Sequence, residues 1–226
     1  MSAALILYGS RARGEARPGS DVDLILAEDG VSLRPPRTVH GVSVHLYSKG
    51  WLEKEIRAGS LFAYHVAFEG VALHDTDSFL ERLRAKFRKK SSYREDAVTA
   101  ALVLRMLLER DWQDNREARR RYFWAVRTII ISDAADHNTF LFASAALEAH
   151  AGIRGLGKHV DGRETASFAE CADFGPRVLH FAGALPPWRG KELHVRLLER
   201  GGIAYDSVRI VEEREAIEVG NLTVYL

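Results

Sequence analysis

Between residues 9 and 24 the chain reads Gly-Ser-Arg-Ala-Arg-Gly-Glu-Ala-Arg-Pro-Gly-Ser-Asp-Val-Asp-Leu. The apolar run Leu5–Tyr8 comes just before this segment and has the length of a buried strand. Asp21–Leu26 predicts a second strand, which opens with carboxylates and continues with apolar residues. The segment therefore predicts a strand, a polar loop containing glycine and proline, and a second strand.

The two carboxylates of the second strand indicate a cation site. Residues two apart in a strand share a face, so Asp21 and Asp23 are expected to lie side by side. Neighbouring carboxylates repel each other, and a divalent cation removes this repulsion. Proteins bind Mg²⁺ through one or two carboxylates together with substrate phosphates. Asp21 and Asp23 are therefore predicted to be magnesium ligands.

The polar loop offers a complementary place for phosphate. Gly9 lets the backbone approach a phosphate closely, and exposed N–H groups together with the Ser10 hydroxyl can hold its oxygens. Arg11 and Arg13 lie in the same loop and can neutralise phosphate charge. The loop and the carboxylates together predict a site for a metal–nucleoside triphosphate complex.

This segment resembles the signature of the DNA polymerase β-like nucleotidyltransferase superfamily, in particular the minimal (MNT-type) and kanamycin-type nucleotidyltransferases. Their pattern is Gly-Ser, a gap of about ten residues that contains Ala-Arg-Gly, and then Asp-x-Asp. The matching positions here are Gly9-Ser10, Ala12-Arg13-Gly14, Ser20-Asp21 and Asp23-Leu24. The resemblance is specific because several residues match at fixed offsets, and it covers about the first 75 residues.

The resemblance implies transfer of a nucleoside monophosphate from an NTP, expected to be ATP, to an acceptor hydroxyl, with pyrophosphate leaving. It implies that Asp21 and Asp23 are catalytic and hold Mg²⁺, with two ions clamping the attacking and leaving oxygens. It also implies a set of nucleotide-binding residues, namely Gly9, Ser10, Arg13 and Ser20. A helical domain after the catalytic domain is typical of the family.

One position departs from the family pattern. Active members carry a third carboxylate on a later strand, and the register of this chain puts His45 in that place. Histidine suits Mg²⁺ poorly, but its pKa near neutrality makes His45 a candidate catalytic base. The alternatives are weakened or lost catalysis, or an ordinary strand histidine. Glu53 and Glu55 could supply the missing carboxylate, although a helix surface is the simpler explanation.

The first part of the chain predicts an α/β domain over residues 1–78, with a small mixed sheet. Alternation in Val39–Tyr47 predicts a third strand, with Ser43, His45 and Tyr47 on one face and valine and leucine on the other. Gly70–His74 predicts a fourth short strand. Together with the helical second part, this gives an α+β fold class.

Residues 79–226 predict a mainly helical domain. From Asp77 to Ala151 the chain has no proline and shows helical spacing of its apolar residues. Gly152–Gly162 contains four glycines and predicts a loop. The domain is predicted to close with a short pair of strands, Ser207–Ile210 and Asn221–Leu226.

Composition excludes several protein classes. The 226 residues are 46% hydrophobic and 28% charged, which argues against disorder, collagen and coiled coil. Lys+Arg is 32 and Asp+Glu is 31, so a protein that coats nucleic acid is not indicated. The single cysteine, Cys171, permits no internal disulfide and no cysteine-built metal site. No membrane-length apolar run or signal-peptide pattern is present, which predicts a soluble, cytoplasmic protein.

The acceptor stays open between a protein, an RNA such as tRNA, and a small hydroxylated molecule, and the oligomeric state is not indicated. Two basic stretches, 82–94 and 116–121, fit either RNA contact or a solvated helix face. The non-enzymatic alternative is a degenerate domain that binds nucleotide or a partner, as an antitoxin-like module. A weaker third alternative is a HEPN-like ribonuclease that uses Arg189 and His194.

Overall fold

The computed structural model describes residues 2–16, 20–30, 34–110, 112 and 115–223. The chain divides into two compact units, Met1–Ser91 and Ser92–Leu226. The division lies after the predicted boundary at residue 78, because the helix Phe79–Lys86 contributes to the core of the first unit. The predicted α+β class is confirmed, with a small mixed sheet in the first unit and helices in the second.

The first unit is built on a five-stranded sheet. Its strands are β1 (Ala3–Tyr8), β2 (Val22–Glu28), β3 (Arg34–Val39), β4 (Val42–Ser48) and β5 (Val71–Asp75). They lie in the order β3-β4-β2-β1-β5; β2 is parallel to β4, and the other neighbouring pairs are antiparallel. The register places Tyr8 opposite Asp23, and Asp23 opposite Ser43.

Helices pack on the sheet of the first unit. They are α1 (Lys49–Arg57), α2 (Leu61–Tyr64), a π-helix that continues it (His65–Glu69), and α3 (Phe79–Lys86). Ser48 caps α1, since its side-chain oxygen accepts a hydrogen bond from the Trp51 N–H. The shared core consists of Ala4, Ile6, Ile25, Ala27, Leu52, Ile56, Ala63, Val66, Ala67, Phe79, Leu80 and Leu83.

The predicted third strand is two strands. Val39–Tyr47 was expected to be continuous, but the chain turns at His40 and Gly41, whose φ angles are 49° and 75°. Two residues at positive φ form a tight hairpin turn, which joins β3 to β4. Pro35 and Pro36 lie in β3 at the edge of the sheet, where a strand tolerates proline. The predicted face with Ser43, His45 and Tyr47 lies entirely within β4.

The second unit is helical. Its helices are α4 (Arg94–Leu108), α5 (Arg116–Asp136), α6 (Ser144–Ala151), α7 (Leu156–Asp161), α8 (Phe168–Ala182), α9 (Gly190–Arg200) and α10 (Gly202–Thr223). The predicted loop Gly152–Gly162 contains α7. Among the described residues, no helix has both the length and the apolar character that crossing a membrane requires.

The predicted pair of C-terminal strands is wrong where it can be compared. Ser207–Ile210 lies inside α10, and so do Asn221–Thr223; residues 224–226 lie outside the described part of the chain. Ala204, Ser207, Val208 and Val211 are the buried residues at the start of α10. This spacing of three and four residues is the helical period, and it overrides the strand preference of the β-branched residues.

Candidate active site at the end of β1

A tight bend follows β1 and begins the site. Gly9 has a φ of 78°, a conformation that favours glycine. The Arg13 N–H donates to the Gly9 carbonyl oxygen at 3.3 Å, and the Glu15 N–H donates to the Ser10 carbonyl oxygen at 2.9 Å. Backbone hydrogen bonds therefore hold the Gly9-Ser10 pair in a closed turn directly after the strand.

The Asp23 carboxylate lies against this bend. A Cβ built on Gly9 would lie 2.9 Å from Asp23 Oδ2, which is closer than real Cβ contacts come. The antiparallel register explains the approach, because Tyr8 pairs with Asp23 and the bend follows Tyr8 directly. The structure thus brings together the bend and one of the two predicted metal ligands.

Asp21 lies one residue before β2, near the β3–β4 turn. A Cβ built on Gly41 would lie 3.6 Å from Asp21 Oδ1, and the Val22 N–H donates to the Gly41 carbonyl oxygen at 2.7 Å. Arg11 ties the other side of this segment, donating to the carbonyl oxygens of Asp21 and Ser20 at 3.2 and 2.7 Å. The guanidinium of Arg11 therefore binds the loop itself rather than pointing to an open phosphate site.

His45 lies in β4 among aromatic side chains. Its ring is stacked on Tyr47, with centroids 6.3 Å apart, and is edge-to-face with Tyr8 at 6.0 Å. Burial lowers the pKa of His45, although the negative charge of Asp23 acts in the opposite direction. His45 is therefore held as a neutral imidazole at neutral pH.

Among the described residues, Asp21, Asp23 and His45 do not form a three-ligand cluster; the set whose ligand atoms converge within 4.8 Å is in the second unit. The two carboxylates are hard oxygen donors, which suits Mg²⁺, whereas the imidazole does not. The missing side chain of Gly9 lets the Asp23 carboxylate approach the bend, since a Cβ there would lie 2.9 Å from Asp23 Oδ2. Each carboxylate lies beside a different turn, Asp23 at Gly9 and Asp21 at Gly41, and in their donor chemistry both suit Mg²⁺. Glu53, the alternative carboxylate, pairs with Lys86 at 2.6 Å and Arg57 at 3.2 Å.

Tyr8 is a site residue that the sequence did not reveal. Burial raises the pKa of its hydroxyl, and the negative charges of Asp23 and Tyr47 add to this effect. Tyr8 therefore stays protonated beside Asp23 at any physiological pH. The signal was present in the strand, because Ala4, Ile6 and Tyr8 share one face and the last of them directly precedes the Gly9 bend.

An ion-pair network ties the loop to the π-helix. Arg13 donates to Glu69 Oε2 at 3.0 Å and to Glu15 Oε2 at 2.8 Å, and His65 Nδ1 lies 2.7 Å from Glu69 Oε2. The His65 ring is in turn edge-to-face with Tyr8 at 5.8 Å. Arg13 was predicted to bind nucleotide, and that assignment stays a prediction. In the structure its guanidinium forms ion pairs with the carboxylates of Glu15 and Glu69.

Glu69 gives this network a pH dependence. Burial alone would raise the pKa of Glu69, but the hydrogen bond from His65 and the charges of His65 and Arg13 outweigh it and lower that pKa overall. A carboxyl whose pKa is lower in the folded state stabilises the fold above its unfolded-state pKa. This contribution disappears as the pH falls through the lowered folded-state pKa.

We expect Glu69→Gln to lower the free energy of unfolding by about 1–2 kcal/mol at neutral pH, because it removes charge-assisted hydrogen bonds. The difference from the wild type should shrink in strong acid, as urea unfolding at several pH values will show. Glu15→Gln is the matched control, since Glu15 is an exposed partner of the same arginine and should cost less than about 0.5 kcal/mol. If the difference in unfolding free energy between the wild type and Glu69→Gln stayed constant down to acid pH, this role for Glu69 would be contradicted.

The two basic stretches are largely paired within the protein. In the first, Arg82 pairs with Asp77 at 2.9 Å, Lys86 pairs with Glu53, and Arg84 donates to the carbonyl oxygens of Ala67 and Gly70. In the second stretch, Arg119 donates to the Glu164 carbonyl oxygen and Arg120 pairs with Glu117. These contacts favour the simpler interpretation of both stretches as structural helix faces.

Arg189 and His194, the pair proposed for a ribonuclease, also contact acidic side chains. Arg189 Nε lies 3.6 Å from Glu109 Oε1, and His194 lies within 3.6 Å of Glu212 and 3.5 Å of Arg110. Burial lowers the pKa of His194, and the charge of Arg110 lowers it further. Each residue has its own acidic partner on a different element.

Comparison with known proteins identifies one family. The model of the family described as "Nucleotidyltransferase domain" matches residues 2–118, which includes the whole site described above. Among solved structures, the chain is similar to a nucleotidyltransferase-like protein from Exiguobacterium sibiricum 255-15, with 14% identity over 92% of this chain and 74% of that one. The TM-score is 0.35, which is too low to establish a common fold. No curated protein matches the chain.

Proposed function

The chain belongs to the nucleotidyltransferase domain family, and on this premise we propose that it transfers a nucleoside monophosphate from ATP, bound with Mg²⁺, to an acceptor hydroxyl. The contact between the Gly9 bend and the Asp23 carboxylate carries this proposal. A phosphate seated at the bend and a carboxylate beside it would repel each other strongly at such short range. A divalent cation held at this place would remove the repulsion, so the phosphate and the carboxylate could occupy the site together.

The residues of the site have separate roles in binding the metal ion and the phosphates. Asp21 and Asp23 would hold the Mg²⁺, which when bound neutralises phosphate charge and stabilises the leaving oxygen. The bend would receive phosphate oxygens through its N–H groups and hydroxyls, with Gly9, Ser10 and Ser20 as the contacting residues. Arg13 would contact the nucleotide from the same loop, which its ion pair with Glu69 fixes.

The reaction exchanges one bond for another at the α-phosphorus. The acceptor oxygen bonds to this phosphorus, the bond to the bridging oxygen of the β-phosphate breaks, and pyrophosphate leaves with that electron pair. The acceptor hydroxyl must also lose its proton. We assign the proton to a ring nitrogen of His45, because burial keeps this imidazole neutral at neutral pH and therefore able to accept it.

The acceptor is a protein, an RNA or a small hydroxylated molecule in the cytoplasm, where ATP and Mg²⁺ are both available. Arg82, Lys86 and Arg120 form ion pairs within the protein. Their positive charges are therefore partly neutralised and would attract RNA phosphates less strongly. This observation favours a protein acceptor, such as a partner toxin in a toxin–antitoxin pair, over RNA. A polycationic small molecule is not favoured by the arginine-rich helices.

The second candidate is a degenerate nucleotidyltransferase that binds nucleotide or a partner without catalysis. The observation that favours it is His45, which stands where a third carboxylate is expected and is packed between Tyr8 and Tyr47. In that case the Asp21–Asp23 pair still binds Mg²⁺ and ATP, and the chain acts as an antitoxin-like module.

Calorimetry with Mg²⁺ and a non-hydrolysable ATP analogue tests the shared premise without knowledge of the acceptor. We expect saturable binding that requires Mg²⁺. Absence of binding would overturn the transferase and the nucleotide-binding form of the degenerate module. Pyrophosphate release from ATP in the presence of candidate acceptors, measured with the wild type and with His45→Asp, then separates them. Release by the wild type supports the enzyme, whereas release only by His45→Asp supports the degenerate module.

A further inference from the structure

Three side chains in the second unit converge outside the site described above. Asp133 lies in the last turn of α5, His137 follows that helix as its C-cap, and His150 lies in α6. One ligand atom from each lies within 4.8 Å of the other two, and this is the only such set of His, Cys, Asp and Glu among the described residues. His150 Nε2 lies 2.8 Å from Asp133 Oδ2, and His137 Nδ1 lies 3.6 Å from the same oxygen.

The backbone places these three groups for a reason. Asp133 and His137 are four residues apart, so they lie on one helix face and approach each other. The loop after α5 leads into α6, and His150 in α6 contacts the Asp133 carboxylate. The Phe181 ring is edge-to-face with His150 at 6.2 Å and orients that imidazole, whereas His137 Nδ1 lies 2.8 Å from the Asp133 carbonyl oxygen and would exchange this hydrogen bond for the ion.

We propose that Asp133, His137 and His150 form a binding site for a divalent transition-metal ion of the zinc class. Two imidazoles and one carboxylate are the donor set that Zn²⁺ and its neighbours prefer, and three protein ligands leave a coordination position for water. Around a tetrahedral ion with bonds of about 2.0–2.1 Å, ligand atoms lie about 3.3 Å apart. The two histidine–aspartate separations, 2.8 and 3.6 Å, bracket that value, and the ligand atoms of the two histidines lie within 4.8 Å of each other, so rotation of the exposed His137 side chain would complete the set around an ion.

A simple histidine–aspartate ion pair does not account for the cluster. Such a pair needs one imidazole, which His150 supplies, whereas the cluster contains a second imidazole, that of His137, whose Nδ1 lies 3.6 Å from the same carboxylate oxygen. The site also has a structural consequence. An ion held by α5 and α6 would close the loop between Asp136 and Ser144 and stabilise the helix pair, because binding to the folded state alone raises stability.

This site is independent of the proposed transferase function. It uses imidazole nitrogen, which favours Zn²⁺ over Mg²⁺, whereas the first unit offers the carboxylates of Asp21 and Asp23. Its test is therefore Zn²⁺ titration of the full chain, freed of metal with EDTA, in the presence of excess Mg²⁺. The excess Mg²⁺ occupies the carboxylate pair and does not compete for imidazole.

We expect one Zn²⁺ to bind with a rise in melting temperature, and Co²⁺ to give the visible absorption of a nitrogen-ligated tetrahedral site. His137→Gln should weaken Zn²⁺ binding by more than about tenfold, since even loss of an outer partner of a metal ligand costs that much. The exposed His137 side chain makes this variant safe for folding. Asp133→Asn and His150→Gln should weaken binding at least as much.

His74→Gln is the matched control, because His74 is an exposed histidine on β5 that belongs to no such cluster. It should bind Zn²⁺ as the wild type does. The proposal is overturned if the wild type shows no Zn²⁺-dependent shift in melting temperature, or if His137→Gln binds Zn²⁺ as tightly as His74→Gln. Neither result bears on Mg²⁺–ATP binding in the first unit.

Discussion

Replacing Asp23 by Asn is expected to weaken binding of the Mg²⁺–ATP analogue by more than about 100-fold and to stop pyrophosphate release, because loss of an outer-shell partner alone costs 10–100-fold. Asn keeps the shape of the side chain but removes the charge that holds the ion. Asp23 is also the carboxylate that meets the Gly9 bend, so the variant acts where metal and phosphate should meet. Calorimetry gives the affinity without any acceptor.

Asp29→Asn is the matched control for this variant. Asp29 is exposed in the turn that follows β2, so the same substitution at the opposite end of the strand should leave binding unchanged. Urea unfolding distinguishes a binding role from a structural one. Asp23→Asn is nearly isosteric and should unfold cooperatively at urea concentrations close to those of the wild type. A variant that binds normally, or that loses binding only because it unfolds, would contradict the role of Asp23.

The elements that the sequence predicted well are those governed by local chemistry. An apolar run ending in Gly9, and carboxylates at the start of the next strand, are enough to place β1, the bend and β2, because each signal lies within the segment that it describes. Glycine acts through its own backbone freedom, so no distant contact is needed.

The features that the sequence did not predict depend on distant partners. Arg13 and Glu69 are 56 positions apart in the chain, and only the folded sheet and π-helix bring them within 3.0 Å. The Asp133 cluster likewise requires the return of α6, which no spacing rule predicts for His150. Arg13 could therefore be noticed as a loop cation, but its partners could not.

Strand and helix preferences failed where two periods compete. Ser207–Ile210 contains β-branched residues and suggests a strand over four positions. The helical period becomes visible only when Ala204 and Val211 are included, and the buried face of α10 follows that longer pattern. The turn at His40 and Gly41 was missed for a different reason, since residues other than glycine are uncommon at positive φ and the alternation of Val39–Tyr47 ran across it.

Replacing Gly9 by Ala is expected to lower the affinity for Mg²⁺–ATP by about 10–100-fold, because it displaces a carboxylate that would hold the ion, and even losing the outer partner of a metal ligand costs that much. The new Cβ would lie 2.9 Å from Asp23 Oδ2, so the carboxylate must move away from the bend. The side chain of Asp23 can rotate, so the clash itself should cost little stability. The positive φ of 78° adds about 1 kcal/mol of backbone strain.

Gly14→Ala separates the strain from the clash. Gly14 lies in the same loop with a φ of 72°, and a Cβ built there has no atom within 4 Å. It should therefore lose about 1 kcal/mol of unfolding free energy, as Gly9→Ala does, while keeping its affinity for Mg²⁺–ATP within a factor of about three. Urea unfolding and calorimetry measure the two quantities on the same pair of variants. Equal losses of affinity in both would mean that loop strain, and not the contact between bend and carboxylate, controls nucleotide binding, and the site would then have to be built on other residues.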